Sequence, residues 1–171
     1  FKKITTIVFD GIPVTIIPVS YNNNMSFVRR IFAFFNFAWR ASAQAAKHKP
    51  DLIFATSTPL TIAIPGIIAK LFRRKPMVFE VRDLWPEVPI AIGALNNPIL
   101  RWAGSALEWV AYHSSKHIIA LSPGMAEGVT KRGIAEDRVT VIPNSCDIAV
   151  FDVPKERGQP IRKQLCIDSQ T

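Results

Sequence analysis

The sequence predicts an α/β domain: a parallel sheet with helices on both faces, preceded by an antiparallel hairpin. Short apolar runs alternate with helical segments from residue 50 to residue 143. These runs are close to continuously apolar, as in strands of a parallel sheet that helices cover on both sides. The chain has 171 residues, 49% of them hydrophobic, which is enough for one domain with a sizeable core.

The first element is a predicted hairpin. The segment "ITTIVFD" leads into "IPVTIIPV" across the dipeptide Asp10-Gly11. Asp-Gly between two apolar runs favours a tight primed turn, because both residues tolerate positive φ angles. We therefore expect two short antiparallel strands at the start of the chain.

A Phe-rich helix is predicted next, over residues 27–47. Its polar residues recur, together with Ala33, at helical spacing and form one narrow stripe, which consists of Arg29, Ala33, Asn36, Arg40, Gln44 and Lys47. Residues 1–75 hold eleven Lys or Arg against two acids. A wide apolar face with basic neighbours is typical of helices that lie in a membrane interface, but a helix packed on a sheet and other helices also fits.

Three strand–helix pairs and a last strand follow. The strands are "PDLIFATS", "PMVFEV", "KHIIALS" and "DRVTVIP", and helices begin after the caps Thr58, Asn97 and Ser122. A doubly wound sheet of this kind binds ligands beyond the carboxyl ends of its strands. Residues 153–171 are polar, contain no predicted strand, and are typical of a linker.

Several chemistries lack support in the sequence. Cys146 and Cys166 have neither metal-site nor redox spacing and form no disulfide framework, which favours a reducing compartment. His48, His113 and His117 accompany no serine elbow, and no metal-ligand spacing occurs. Neither G-x-G-x-x-G nor a Walker sequence is present. No nucleic-acid-binding motif is found, so we expect no nucleic-acid partner.

Polar residues cluster where the predicted strands end. Arg82, Asp83 and Glu87 follow the strand "PMVFEV". A carboxylate there could accept a proton or hold a sugar hydroxyl, and an arginine could offset phosphate charge. An internal Arg–Asp pair that holds the loop is the alternative. The small polar residues at the other strand ends could bind phosphate or sugar hydroxyls, or only cap helices.

Four segments carry a resemblance to a known family. The segments are, in order, "PDLIFATSTPLTIAIPGIIAKLF", "FEVRDLWPE", "ALEWVAYHSSKHIIALSPGMAEGV" and "RVTVIPNSCDIAVF". Together they resemble the N-terminal domain of family 4 glycosyltransferases of the GT-B fold. The similarity is greatest to the bacterial branch that builds capsule, exopolysaccharide and O-antigen. It implies a Rossmann-like acceptor-side domain over residues 1–152, lacking its first strand, loop and helix. Residues 153–171 would then be a linker toward a C-terminal donor-binding domain.

The resemblance also implies an activity. Members transfer a sugar from a nucleotide-sugar to an acceptor with retention at the anomeric carbon. They use no metal and no cofactor besides the nucleotide-sugar donor as co-substrate. Acceptors in this branch are often lipid-linked saccharides, so we expect a cytoplasmic protein, peripheral on the inner face of the cytoplasmic membrane, with residues 27–47 at the membrane surface. Without the donor domain, residues 1–171 alone are expected to transfer no sugar.

The family motif assigns roles to individual positions. Asp83 and Arg82 match the catalytic pair, with Arg82 where many members carry histidine. The positions that match substrate-binding segments are Ser57, Thr58, Glu87, Ser122, Asn144 and Asp147. Two other functions stay open: a sugar-nucleotide epimerase on the same scaffold, for which other strand-end acids and histidines are expected, and a non-catalytic membrane-surface binding module.

Overall fold

A computed structural model describes residues 3–22, 24–57, 59–85, 96–152, 154 and 159–164. The strands are β1 (Thr5–Phe9), β2 (Ile12–Ile16), β3 (Ile53–Ser57), β4 (Met77–Val81), β5 (His117–Ala120) and β6 (Val139–Val141). The helices are α1 (Phe27–Ala45), α2 (Ala63–Arg73), α3 (Pro98–Ser114), α4 (Pro123–Thr130), α5 (Ile148–Phe151) and α6 (Gln159–Gln164). Short 3-10 turns at Leu60–Ile62 and Glu136–Arg138 precede α2 and β6.

The N-terminal hairpin is confirmed. Strands β1 and β2 pair antiparallel, from Thr5 opposite Ile16 to Phe9 opposite Ile12. Asp10 and Gly11 have φ angles of 48° and 79°. Positive φ at both central residues is the geometry of the primed turn that the Asp-Gly pair predicts.

The main sheet is parallel and follows chain order, β3-β4-β5-β6. Right-handed crossovers between neighbouring strands that always advance in one direction place every connecting helix on one face of the sheet. The contacts agree, because Gly66 of α2 lies against Met77 and Ala55, and Tyr112 of α3 lies 6.1 Å from the Phe79 ring. The predicted α/β class, with a parallel sheet flanked by helices and a hairpin before it, is confirmed.

Burial alternates along the strands. On the helix-covered face, Ala55, Met77, Phe79 and Ile118 are buried and form the centre of the core. The next residues along β3 and β4 point to the other face, where Phe54 keeps 54% of its surface exposed. Cover on both faces was expected, but the described residues cover only one, because all three connecting helices lie on the same side.

Helix α1 packs against α2 and buries Ala38 and Ser42. Part of the polar stripe of α1 is shielded from solvent, because residues 18–20 lie beside it across a cavity of about 400 Å³. There the Arg40 guanidinium donates a hydrogen bond to the carbonyl of Pro18. Arg29 and Asn36 of the polar stripe are exposed, and a second exposed stripe of α1 is apolar. We call it the α1 stripe: Val28, Phe32, Phe35 and Trp39, each with at least 51% of its surface exposed.

Among the helices of the described residues, none combines the length and the apolar character that crossing a membrane requires.

Candidate functional site

The candidate site is the edge of the sheet where the four parallel strands end. Ser57 closes β3 and stands in register with Val81, the last residue of β4. Ala120 closes β5 beside Val141, the last residue of β6. The segments that follow these strands therefore emerge side by side, as the sequence predicts for a parallel sheet.

Arg82 and Asp83 are both exposed at this edge. Neither side chain forms a hydrogen bond or an ion pair with another described residue, so the internal Arg–Asp pair is not present. Their charges are therefore available to a ligand. A guanidinium here can offset phosphate charge, and a carboxylate can hold a sugar hydroxyl or accept its proton.

The loop that carries this pair is held from behind by apolar contacts. Leu84 and Trp85 are half-buried and pack against the core. A Cβ placed on Gly128 of α4 would lie only 2.8 Å from a Leu84 methyl carbon, so the absence of a side chain at Gly128 makes room for Leu84. With two apolar residues turned inward, the preceding charged residues are left at the solvent edge.

Ser57 supports the same loop from the neighbouring strand. Its side chain is buried, with 1% of the residue exposed, and its Oγ accepts a hydrogen bond from the backbone N–H of Arg82 at 3.0 Å. The sequence predicts a substrate-binding role for Ser57. The structure places its hydroxyl beneath the loop, where it positions the backbone of Arg82.

Replacing Ser57 with Ala should lower the free energy of unfolding by about 1–2 kcal/mol, because the N–H of Arg82 loses its acceptor in a partly buried position. Urea unfolding of the variant measures the change. The control is Ser20→Ala, which removes an exposed hydroxyl that forms no hydrogen bond with another described residue. An equal decrease in the free energy of unfolding in the two variants would show that the hydrogen bond of Ser57 does not stabilise the loop.

The other predicted positions divide into caps, exposed residues and residues outside the described part. Ser122 is the N-cap of α4, and its Oγ accepts from the N–H of Met125 at 3.3 Å. Asp147 caps α5 through a 3.1 Å bond from the N–H of Ala149. Asn144 is exposed after β6. Thr58 and Glu87 lie outside the described residues. Capping thus accounts for Ser122 and Asp147 locally, and a ligand role for either stays a prediction.

Sequence reasoning missed a polar pair on the uncovered face of the sheet. The Thr56 hydroxyl donates a hydrogen bond to the carboxylate of Glu80, one residue before each strand ends. On the same face, His117 and Thr140 are joined at 2.8 Å through Nε2 and Oγ1. Glu80, the one charge inside "PMVFEV", was a signal that β4 has a wetter side.

A four-stranded parallel sheet with connecting helices, whose loops emerge together at the carboxyl edge, is a Rossmann-like α/β fold. The chain belongs to glycosyltransferase family 4, whose profile matches residues 9–150. The family membership expected from the four segments is confirmed.

Solved structures support the fold. HepE of Anabaena in complex with UDP is 19% identical, with a TM-score of 0.53 over 76% of this chain and 32% of HepE. HepE in complex with UDP-glucose is 23% identical, with a TM-score of 0.53 over 75% of this chain and 32% of HepE. This chain thus spans about a third of the length of HepE, and at this identity the likeness concerns the fold alone. No match was found among curated proteins.

Proposed function

We propose that this chain forms the acceptor side of a retaining glycosyltransferase that moves a sugar from a nucleotide-sugar to a lipid-linked saccharide in bacterial surface polysaccharide synthesis. The observation that carries the proposal is the exposed Arg82–Asp83 pair at the carboxyl edge, in a chain that belongs to family 4. The family defines the reaction class. The pair supplies the charges that the reaction uses.

The two side chains would take different parts in the transfer. Asp83 would bind a hydroxyl of the reacting sugars, or accept the proton that the attacking hydroxyl loses. Arg82 remains charged at all relevant pH values and would offset negative charge on the donor diphosphate as the bond to the sugar breaks. Ser57, Leu84 and Gly128 would keep the pair in place, because they hold the loop from both sides.

The donor proposal starts from the solved relatives. HepE is seen with UDP and with UDP-glucose, so UDP-sugars are the first donors to test. For the acceptor we propose a saccharide on a lipid diphosphate, presented at the inner face of the cytoplasmic membrane. The α1 stripe within residues 27–47 would rest on that membrane, because it exposes two phenylalanines and a tryptophan beside basic residues.

A transfer assay tests this function. The full-length protein is expected to convert a lipid-linked saccharide to a product longer by one sugar when a UDP-sugar is supplied. The anomeric configuration of the donor should be retained in the NMR spectrum of the product. Purified residues 1–171 should give no product. Interconversion of the UDP-sugar without transfer would favour the epimerase. Turnover by residues 1–171 alone would contradict the proposal that these residues form only the acceptor side.

A further inference from the structure

The outward sides of α1, α2 and α3 carry large apolar side chains at their most exposed positions. On α1, Trp39 keeps 76% of its surface exposed. On α2, Leu71 and Phe72 keep 68% and 73%. On α3, Trp102 and Trp109 keep 73% and 54%. Soluble proteins rarely expose apolar groups of this size together unless they bind something.

The three helices belong to one side of the domain. Helices α2 and α3 lie on the same face of the sheet and contact each other, and α1 packs against α2. On α3, the buried residues are Glu108, Ala111 and Tyr112, and helical spacing turns Trp102 and Trp109 away from them. We call this side the helical face and define it by Phe32, Phe35, Trp39, Leu71, Trp102 and Trp109.

The charges on the three helices are one-sided. Their sequences contain a single acid, Glu108, which is 2% exposed and paired with Arg132. Arg29 on α1 is exposed, whereas Lys70 on α2 is half-buried and its ammonium donates a hydrogen bond to the carbonyl of Ser114 at the end of α3. The three helices therefore expose large apolar groups and the cation of Arg29, and they contribute no exposed carboxylate.

More cations stand at the C-terminal ends of α1 and α2. Lys47 and Lys49 follow α1, and Arg74 and Lys75 follow α2, with Asp51 as the acid among them, 3.8 Å from Lys75. The two helix ends are adjacent, because the Arg73 guanidinium donates to the carbonyl of Ala46 at the end of α1. One edge of the helical face is thus a basic rim.

This combination fits the surface of an anionic bilayer. Tryptophan is favoured at the level of the lipid headgroups, where its ring is half apolar and its N–H reaches water. Cations beside it gain from the negative surface potential, which an exposed carboxylate would oppose. A purely apolar partner protein would account for the aromatic residues but not for the charge pattern.

We propose that the helical face, and not α1 alone, docks flat on an anionic membrane, with Trp102 and Trp109 of α3 in the headgroup layer. The inference rests on the membrane contact proposed above and extends it to α2 and α3. Docking through three helices would fix the orientation of the domain, and so the height of the Arg82–Asp83 edge above the lipid.

The test compares two changes of similar exposure on opposite sides of the sheet. In the full-length protein, the double variant Trp102→Asn/Trp109→Asn should reduce partition onto vesicles of phosphatidylglycerol and phosphatidylcholine about tenfold or more, because both rings leave the interface. Phe54→Asn is the matched control: Phe54 is 54% exposed, like Trp109, but lies on the uncovered face of the sheet. It should leave partition unchanged. Co-sedimentation at low and high salt measures both.

A second measurement does not depend on partition. In a variant that keeps Trp102 and has the other tryptophans replaced by Phe, brominated phosphatidylglycerol should quench the fluorescence of Trp102. If a Phe35→Asn variant lost vesicle binding while the α3 double variant bound as well as the unaltered protein, the inference would be overturned and only the α1 contact would remain. Absence of binding by the unaltered protein would overturn both, whereas sugar transfer to a soluble acceptor would still report on the proposed activity. An α3 double variant that dissociates a dimer without changing vesicle binding would assign the face to a second copy of the chain.

Discussion

Asp83→Asn in the full-length protein should lower kcat/KM for sugar transfer by about 100-fold or more, the range that loss of a positioned acid–base group typically costs. The substitution keeps the size of the side chain and removes its charge. Because Asp83 is exposed and forms no hydrogen bond or ion pair with another described residue, folding should not change. Steady-state transfer kinetics and the thermal midpoint, measured on the same preparation, check the two halves of the expectation.

The control for this variant is Asp137→Asn. Asp137 is an exposed acid in the 3-10 turn before β6, at the amino end of the sheet and away from the candidate site. It should leave kcat/KM unchanged. Equal turnover in Asp83→Asn and the unaltered protein would remove Asp83 from the site, and a lower thermal midpoint would assign it a structural role.

The largest effect on stability is expected at Arg132. Its Nε lies 3.1 Å from a carboxylate oxygen of Glu108, whose side chain is 2% exposed. Arg132→Met should lower the free energy of unfolding by about 2–4 kcal/mol, because it removes a guanidinium from its contact with a buried carboxylate. The double variant Glu108→Gln/Arg132→Met should recover part of the loss, since the buried negative charge is then gone. Urea unfolding of the three proteins measures this.

The neighbouring residue provides a matched control. Lys131 pairs with Glu127 at 2.8 Å, but both side chains are largely exposed. The hydrogen bond and the charge of Lys131 hold the pKa of Glu127 below its usual value. Water replaces such a contact when it is lost, so Lys131→Met should leave the stability almost unchanged. If Arg132→Met lowered the free energy of unfolding by no more than Lys131→Met does, the buried pair of Arg132 and Glu108 would not stabilise the fold more than an exposed pair.

Features set by a few neighbouring residues were predicted from the sequence. The Asp10-Gly11 turn has the expected positive φ angles. Asn97 caps α3 by accepting from the N–H groups of Ile99 and Leu100, and Ser122 caps α4. Turn and cap chemistry depends on groups within three or four positions along the chain, so a single sequence contains the necessary information.

Features set by packing were not predicted. Ser57 and Arg82 are 25 residues apart, and only the register of β3 with β4 brings the hydroxyl under the N–H. Which side of α1 is exposed does not follow from the sequence alone. Residues 18–20 lie beside part of its polar stripe and α2 covers another side, so an apolar stripe is exposed together with Arg29 and Asn36.

By itself, the sequence determined the parallel α/β fold, the family and the position of Arg82 and Asp83 at the end of a strand, because periodicity, caps and motifs are local patterns. Only the tertiary structure decided that one face of the sheet stays open in the described residues, that Ser57 lies beneath the loop, and that three helices with exposed apolar residues pack beside one another. Burial and exposure depend on which elements are neighbours in space. That is settled by strand order and crossover handedness, which no single segment encodes.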